Sequence, residues 1–487
     1  MRRLLVTGGT LLTMDRATGD LATGDVLIEN ERIAAIGAEL AVDDAERIDA
    51  RGAIVMPGLI NAHLHTWQTP LRGIGGDWAG SDYDDILHAR LAPLYTSQDL
   101  HDATLFGALS QLDAGATTIF DWCHNNPTPE HTDAAVDALL ASGVRAVFGH
   151  GSAKPPPKPG EPHFSTIPHD WDEMRRLRRG PLSSDDARVT LAACILGPDY
   201  ATIDVCRRDF AEARALDVLT SAHVWGQSGR LVVDGYRQLA REGLISPRHN
   251  VVHGNYLADD ELDILIDAGA SFTSAPTVEL RAHVREPLSV RIRRRGLRPS
   301  IGVDCEALAC DRMLDALRFT LQAHRLFNNQ ALVQAMAAGG STVPDAAGSV
   351  VRQVSLTTRE VLEWGTIDNA RALGIDHKVG SLTVGKQADI LLVRTDGGHV
   401  MPARDPAQVL IQLAQNRDID TVLIAGRIVK QGGRVLHSHY ERATLAADTL
   451  ASRLFSSLPP DLRQRCALGP LGAGVSIPEG YQPSAST

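Results

Sequence analysis

The stretch that decides the fold is Pro57-Gly58-Leu59-Ile60-Asn61-Ala62-His63-Leu64-His65. An apolar run that starts at residue 53 ends here in two histidines separated by one residue. Side chains alternate between the faces of a β-strand, so His63 and His65 point the same way. Neutral imidazole is a common ligand of zinc and iron, and the pair therefore predicts half of a metal site. A bare His-x-His pair is more often two surface histidines, so this interpretation depends on matching residues downstream.

Composition excludes several classes of function. The chain has 487 residues, 44% of them hydrophobic and 22% charged, as in an ordinary globular protein large enough for a barrel and a smaller domain. A net charge of −11 argues against nucleic acid or an anionic membrane as partner. No apolar stretch approaches the roughly 18 residues of a membrane span, and six scattered cysteines suit a reducing compartment. We expect a cytoplasmic protein that acts on a small molecule.

The middle of the chain alternates predicted strands with predicted helices. Together with the opening strand, the pattern gives eight βα units over about 320 residues, which predicts a closed parallel (β/α)8 barrel with its site at the C-terminal strand ends. An open doubly wound sheet is the alternative, but no glycine-rich phosphate loop follows the first strand. The predicted strands after the first are 116–120, 145–150, 188–195, 218–223, 250–253, 270–274 and 299–304.

Both ends of the chain have the alternating, glycine-punctuated texture of antiparallel β structure. We therefore expect residues 1–56 and 378–436 to form one composite β-sandwich domain around a catalytic barrel of residues 57–377. Residues 437–487 are expected to form a C-terminal helix, within 440–455, and a tail. Residues 154–184 are rich in Pro, Arg and Ser and are expected to be an extended loop before strand four, suited to cover the site.

Five polar residues stand at predicted C-terminal strand ends: His63 and His65 on strand one, His223 on strand five, His253 on strand six and Asp304 on strand eight. Each alone is weak evidence, but together they fit one task. His63, His65, His223 and Asp304 can hold one divalent cation and leave a position for water, whose pKa the metal lowers toward ~7. Asp304 can accept a proton from that water, and His253 can protonate or stabilise what develops on the substrate.

Several motifs resemble the amidohydrolase superfamily. These are the opening stretch and two late runs, Val379-Gly380-Ser381-Leu382 and Gly385-Lys386-Gln387-Ala388-Asp389-Ile390. Thr69-Pro70-Leu71-Arg72-Gly73 is similar to the segment carried there by the cytosine-deaminase and triazine-hydrolase branch. The resemblance covers residues 4–436 and implies a (β/α)8 barrel, a composite β-sandwich and a homodimer or larger homo-oligomer. It also implies one zinc ion, with iron or manganese as alternatives, on the ligand set named above, and His253 as the proton-handling residue.

The number of metal ions follows from strand four. Binuclear branches of this superfamily usually need a bridging carboxylated lysine there. Residues 188–196 contain no lysine, so we expect a single metal ion.

One position departs from the deaminase pattern. Deaminases of this branch usually carry a glutamate three residues after the strand-five histidine, where this chain has Gly226. Either another carboxyl handles that proton or the reaction is not a ring deamination. The candidates are Asp199, Glu279 and Glu306. For Asp199 and Glu306 the ordinary alternative, a solvated loop carboxylate, is favoured, and Glu279 is the best substrate-facing candidate.

Further residues near the predicted strand ends are expected to shape a substrate pocket, and aromatic rings among them suit a flat or apolar substrate. Simple loop packing is the alternative for each tryptophan. The candidate substrate-binding residues are Gln68, Trp78, Trp122, His150, Trp225, Glu279 and His283.

The sequence thus predicts a metal-dependent hydrolase that cleaves a C–N bond, amide or cyclic amidine-like, in a small and cyclic molecule. Three alternatives stay open. The first is an aminohydrolase (deaminase) of a heteroaromatic ring with a relocated acid. The second is hydrolysis of another bond, or a lyase step, on the same metal. The third is a non-catalytic scaffold, against which the five converging polar residues argue.

Overall fold

The structure is a computed structural model that describes residues 2–79, 81–155, 158–226, 229–283, 285–339 and 353–468. The expected C-terminal tail, residues 469–487, lies outside the described residues. The strands of the described residues form two sheets, one of eight strands and one of nine.

The strands before the barrel are β1 (Arg3–Leu11), β2 (Leu21–Glu29), β3 (Arg32–Gly37), β4 (Glu46–Asp49) and β5 (Ala53–Pro57). The barrel strands are β6 (Leu59–Leu64), β7 (Ala116–Cys123), β8 (Arg145–Gly151), β9 (Val189–Cys194), β10 (Leu219–Val224), β11 (His249–His253), β12 (Ser271–Ser274) and β13 (Ser300–Ile301). The late strands are β14 (Ile390–Arg394), β15 (Ile419–Ile424), β16 (Arg427–Gln431) and β17 (Arg434–Val435).

The eight barrel strands pair in parallel with their sequence neighbours, from β6 to β13. A parallel bridge between Leu64 and Asp304 joins the last strand to the first. Two backbone hydrogen bonds support it, from Asp304 N to His63 O (2.9 Å) and from His65 N to Asp304 O (3.2 Å). Gly302 permits this approach, because a Cβ there would lie 2.7 Å from the Cβ of His63. The predicted (β/α)8 barrel is confirmed, and its closure brings strand eight against the two histidines.

The nine-stranded mixed sheet combines both ends of the chain, as expected. Strand β14 lies antiparallel to β5 and to β15, so a late strand is inserted beside an early one. The sheet encloses an apolar core of its own, with Leu4, Val26, Ile390 and Leu423 among its buried members. A buried ion pair between Arg145 of β8 and Asp389 (2.9 Å) ties the sheet to the barrel.

Helices follow the barrel strands along the chain, and three more of the described helices come after β14. They are α1 (Ser97–Asp113), α2 (Pro129–Ser142), α3 (Trp171–Arg179), α4 (Gly197–Tyr200), α5 (Ile203–Leu216), α6 (Gly235–Arg241), α7 (Asp259–Asp267), α8 (Pro276–Ala282), α9 (Leu288–Arg294), α10 (Met313–Ala338), α11 (Thr358–Glu363), α12 (Asn369–Ala372), α13 (Pro406–Gln408), α14 (Tyr440–Ser457) and α15 (Pro460–Leu468). No helix among the described residues is long and apolar enough to cross a membrane.

The expectation of an extended loop over 154–184 is wrong in its second half. Helix α3 forms there because Asp170 caps its first turn by accepting a hydrogen bond from Glu173 N. Its buried residues Trp171, Met174 and Leu177 recur every three positions, which places one apolar face against the protein. Residues 156 and 157 of this segment lie outside the described part of the chain.

Candidate metal centre

The polar residues predicted at the strand ends converge at the C-terminal end of the barrel. One ligand atom from each of His63, His223, His253 and Asp304 lies within 4.8 Å of the others. Nε2 of His63 is 3.3 Å from Nε2 of His223, and Oδ1 of Asp304 is 3.2 Å from Nε2 of both His63 and His65. All five predicted residues therefore meet, although the group of four whose ligand atoms lie within 4.8 Å of one another contains His253 and not His65.

The protonation states suit a cation. Burial lowers the pKa of His63 to about 4 and that of His223 well below its usual value, so both rings are neutral at pH 7. Burial opposes ionisation of Asp304, but the adjacent rings of His63 and His65 outweigh it and hold its pKa well below the usual range. Neutral imidazole nitrogens crowded around a carboxylate are the donor set that zinc prefers. The residues present fit a single divalent ion.

Neighbouring groups orient two of the imidazoles. Nδ1 of His65 lies 2.6 Å from the carbonyl of Trp122, so it carries the proton and Nε2 turns its lone pair to the centre. Nδ1 of His253 lies 3.2 Å from Oε1 of Glu279, which also accepts a hydrogen bond from Ala275 N. Burial alone would lower the pKa of His253, but this hydrogen bond and the charges of Asp304 and Glu279 raise it.

Two residues of the cluster have a strained backbone conformation. His253 and Asp304 are two of the six non-glycine residues with positive φ in the described chain, at 71° and 64°. Such conformations cost roughly 1–3 kcal/mol and persist where the surroundings enforce them. Predicted strand eight, 299–304, is consequently shorter than expected: the chain leaves the sheet after Ile301 and turns Asp304 toward the histidines.

Gly226 is required by packing. Its φ is +74°, and a Cβ there would lie 2.4 Å from Leu257 N and 2.8 Å from Leu257 Cα. The backbone that follows β11 therefore fills the space a side chain would need. No glutamate fits at this position without moving that loop.

Each of the three candidate replacement carboxyls accepts hydrogen bonds from protein groups, although Oδ1 of Asp199 has no partner among the described residues. Glu306 is fully buried and accepts hydrogen bonds from Arg72 and from Gln111 of helix α1. Oδ2 of Asp199 accepts hydrogen bonds from Trp225 N and Gly226 N. The expectation that Asp199 and Glu306 are solvated is wrong, since both are buried. Glu279 lies behind His253, and its hydrogen bonds go to protein groups.

The predicted pocket residues fall into three groups. Rings of Trp122 and Trp225 contact the centre: the Trp122 centroid is 4.2 Å from that of His223, and Trp225 stacks on His253 at 5.3 Å and 18°. His283 lies against Trp225 at 4.6 Å, and burial lowers its pKa to about 4.

Gln68 and Trp78 form the second group, buried near this end of the barrel and bonded to other protein groups. The amide of Gln68 donates to Tyr83 Oη (2.7 Å) and accepts from Cys305 Sγ (2.6 Å). The carbonyl of Trp78 accepts a hydrogen bond from Arg281.

His150 forms the third group, because Nδ1 of its ring lies 3.2 Å from Nε2 of His169, which in turn contacts Ser152. These contacts place His150 among structural residues beside helix α3, outside the cluster of potential ligands.

Lys154 and Tyr200 were missed by the sequence prediction. Lys154 stands three residues after β8, and its Nζ lies 3.9 Å from the centroid of the Tyr200 ring. Tyr200 Oη accepts a hydrogen bond from Trp225 Nε1. The available signal was their position just beyond strands three and four, where barrel enzymes carry functional side chains.

Comparisons with known proteins agree with this geometry. The model of the amidohydrolase family matches residues 54–429. This chain belongs to the amidohydrolase family. The predicted class, a metal-dependent hydrolase of carbon–nitrogen bonds other than peptide bonds, is confirmed at the level of the family.

Individual relatives are distant but full-length. A 5'-deoxyadenosine deaminase of Methanosarcina mazei is 24% identical over 472 residues, covering 94% of this chain and 100% of the relative. Atrazine chlorohydrolase of Arthrobacter aurescens, solved as a mutant with zinc and atraton, shares the fold with a TM-score of 0.79, at 21% identity over 92% of this chain and 100% of that one. A zinc-bound adenosine deaminase of Xanthomonas campestris gives a TM-score of 0.74, at 21% identity over 93% and 98%.

The contact between Glu279 and His253 gives a test by pH. In Glu279→Gln the amide oxygen can still accept from Ala275 N and His253 Nδ1, but the negative charge is lost. The pKa of His253 should therefore fall, so a protonated His253 is lost at lower pH than in the wild type. We expect the basic limb of the pH–kcat/KM profile to move to lower pH and kcat to fall roughly tenfold or more.

The control for this prediction is Glu286→Gln. Glu286 pairs with Arg294 at 2.8 Å at the protein surface, and its replacement should leave the profile in place. An unshifted profile in Glu279→Gln would show that Glu279 does not act through His253.

Proposed function

We propose that this amidohydrolase binds one divalent metal ion, with zinc favoured over iron and manganese, through His63, His65, His223 and Asp304. With this ion it hydrolyses a C–N bond of a small cyclic amide or amidine. The observation that carries the proposal is the convergence of these side chains, with His253, at the end of the closed barrel. A bound divalent ion supplies an activated water at neutral pH.

The chain's own residues handle the protons. Asp304 is held ionised, so its Oδ2, 3.7 Å from Nε2 of His253, can accept a proton beside that ring. His253, kept protonated to higher pH by Glu279, can donate to the departing nitrogen. In a cyclic amide that nitrogen stays attached, and the ring opens. Trp225, stacked on His253, supports a flat ring next to the donor.

Ring deamination is the second candidate, because the M. mazei relative is a deaminase of an adenosine derivative. It needs a proton donor for the ring nitrogen, and Gly226 and its packing leave no room for the glutamate that deaminases of this branch usually use. Two buried alternatives already have hydrogen-bond partners: Asp199 accepts from Trp225 N and Gly226 N, and Glu279 accepts from Ala275 N and lies 3.2 Å from Nδ1 of His253. We therefore rank deamination below ring-opening hydrolysis.

The test is a screen of metal-reconstituted protein against cyclic amides, cyclic amidines, aminated heterocycles and chlorinated triazines. Ammonia, chloride and product mass are measured together. Ring opening adds one water to the product and releases neither ammonia nor chloride. Ammonia release from a heterocycle would overturn the first proposal in favour of deamination. Chloride release would favour hydrolysis of a carbon–chlorine bond instead of a C–N bond. Bound metal well below one equivalent after gentle purification would favour the non-catalytic scaffold.

The proposal also includes a cytoplasmic location and a homodimer or larger homo-oligomer. The first is supported by the free state of all six cysteines, and the second by the family resemblance alone. Light scattering coupled to gel filtration tests the oligomeric state, and a monomeric mass would contradict it.

A further inference from the structure

Lys154 is a cation near the metal centre that forms no ion pair with the described residues, although the carboxylates of Asp84 and Asp199 act on it from further away. It is partly buried, and no carboxylate of the described chain lies within the 4.0 Å of an ion pair from its Nζ. Its Nζ lies over the face of the Tyr200 ring, 3.9 Å from the ring centroid. A charge withdrawn from water is costly unless it is paired. The ammonium group is therefore set to gain from an anion that arrives with a ligand.

A short chain of contacts connects Lys154 to the proton-handling histidine. Lys154 lies on the Tyr200 ring, Tyr200 Oη accepts from Trp225 Nε1, and the Trp225 ring stacks on His253. The ammonium group thus lies two aromatic rings from His253, on the loop that follows β8. Burial is the largest effect that lowers the pKa of His223 and of His253. The positive charge of Lys154 adds a smaller effect in the same direction on both rings. Lys154 therefore lies within electrostatic reach of the centre.

Resting on the function proposed above, we propose that Lys154 binds a carboxylate of the substrate, so that this amidohydrolase acts on monoanionic cyclic molecules. An ammonium–carboxylate hydrogen bond fits a single compact cation and would pair its charge. A monoanion is favoured over a phosphate dianion because the carboxylates of Asp84 and Asp199 also act on Lys154 and would repel a second negative charge. The aromatic surface between Lys154 and His253 suits a flat ring that carries no second charged group.

The test uses binding, so it does not depend on finding the substrate. Benzoate and benzamide have the same size and differ in charge, and their affinities for the metal-loaded protein are measured by calorimetry. We expect wild-type protein to prefer benzoate. Lys154→Met should weaken benzoate binding roughly tenfold and leave benzamide unchanged, and Lys154→Arg should retain most of the benzoate affinity.

Lys158→Met is the matched control, because this exposed lysine of the same loop pairs only loosely with Glu161, at 4.0 Å. It should bind both probes as the wild type does. Three results would overturn the inference: no preference for benzoate in the wild type, unchanged benzoate binding in Lys154→Met, or an equal loss for both probes. Phenyl phosphate that binds more tightly than benzoate through Lys154 would overturn the carboxylate assignment. If the substrate screen described under the proposed function found no activity, the benzoate and benzamide affinities would still show whether Lys154 binds a carboxylate.

Discussion

Asp304→Asn is expected to reduce kcat/KM by roughly a thousandfold or more while the protein stays folded. The substitution keeps the shape of the side chain but removes the negative charge that Nε2 of His63 and of His65 approach at 3.2 Å. An amide is a poor ligand for zinc and cannot accept the proton of an attacking water, so metal affinity and proton transfer both suffer. Steady-state kinetics and metal analysis of the same sample measure the two losses.

The matched control is Asp311→Asn, seven residues further on, whose carboxylate pairs with Arg72 at 3.4 Å outside the cluster. It should retain metal and activity. His63→Ala should resemble Asp304→Asn, because it removes a proposed ligand whose Nε2 lies within 3.3 Å of both His223 and Asp304. Full activity of either variant would show that the metal assignment is wrong.

Gly226→Ala is expected to destabilise the protein by about 3 kcal/mol or more. Two costs combine: a left-handed φ of +74°, worth about 1–2 kcal/mol for a non-glycine residue, and a Cβ 2.4 Å from Leu257 N. Relief requires the Tyr256–Leu257 backbone to move, and this loop begins three residues after His253. We therefore expect kcat to fall as well. Chemical denaturation and steady-state kinetics give the two values.

Gly243→Ala separates the two costs. Gly243 has a similar φ of +66° with nothing within 4 Å of an added Cβ, so it should lose only about 1–2 kcal/mol. Equal losses in the two variants would show that the Leu257 contact yields easily. Gly226→Glu is the chemical counterpart: it should not create ammonia release from aminated heterocycles, and a gain of that activity would contradict the packing argument.

Much of this architecture follows from local sequence. The barrel and a smaller β structure built from both chain ends were predicted correctly because each strand is an apolar run bounded by turns, and barrel connectivity is strongly restricted. The five residues of the cluster could be chosen because each ends such a run. Their roles as ligands and proton carrier stay predictions until metal and kinetics are measured.

Local sequence could not predict which side chains, distant in the sequence, contact each candidate residue in the folded protein. His150 ends a strand just as His253 does, but His169, on the segment before α3, engages it. Glu279 was expected to face the substrate, but its carboxylate contacts the ring of His253, which lies 26 residues earlier in the sequence. Helix α1 begins at Ser97, before its first buried apolar residue, Leu100, because a capping box of Thr96 with Asp99 starts the helix ahead of the apolar pattern.

The insertion of β14 between β5 and β15 has a consequence for synthesis. Until residues 390–394 have left the ribosome, β5 has an open edge whose N–H and C=O groups await a partner. Strand β5 runs directly into β6, which carries His63 and leads to His65. These two proposed metal ligands therefore follow a strand that gains its second neighbour only when β14 has been synthesised. Such long sequence separation slows folding, and we expect nascent chains to depend on chaperones until the C-terminal strands emerge.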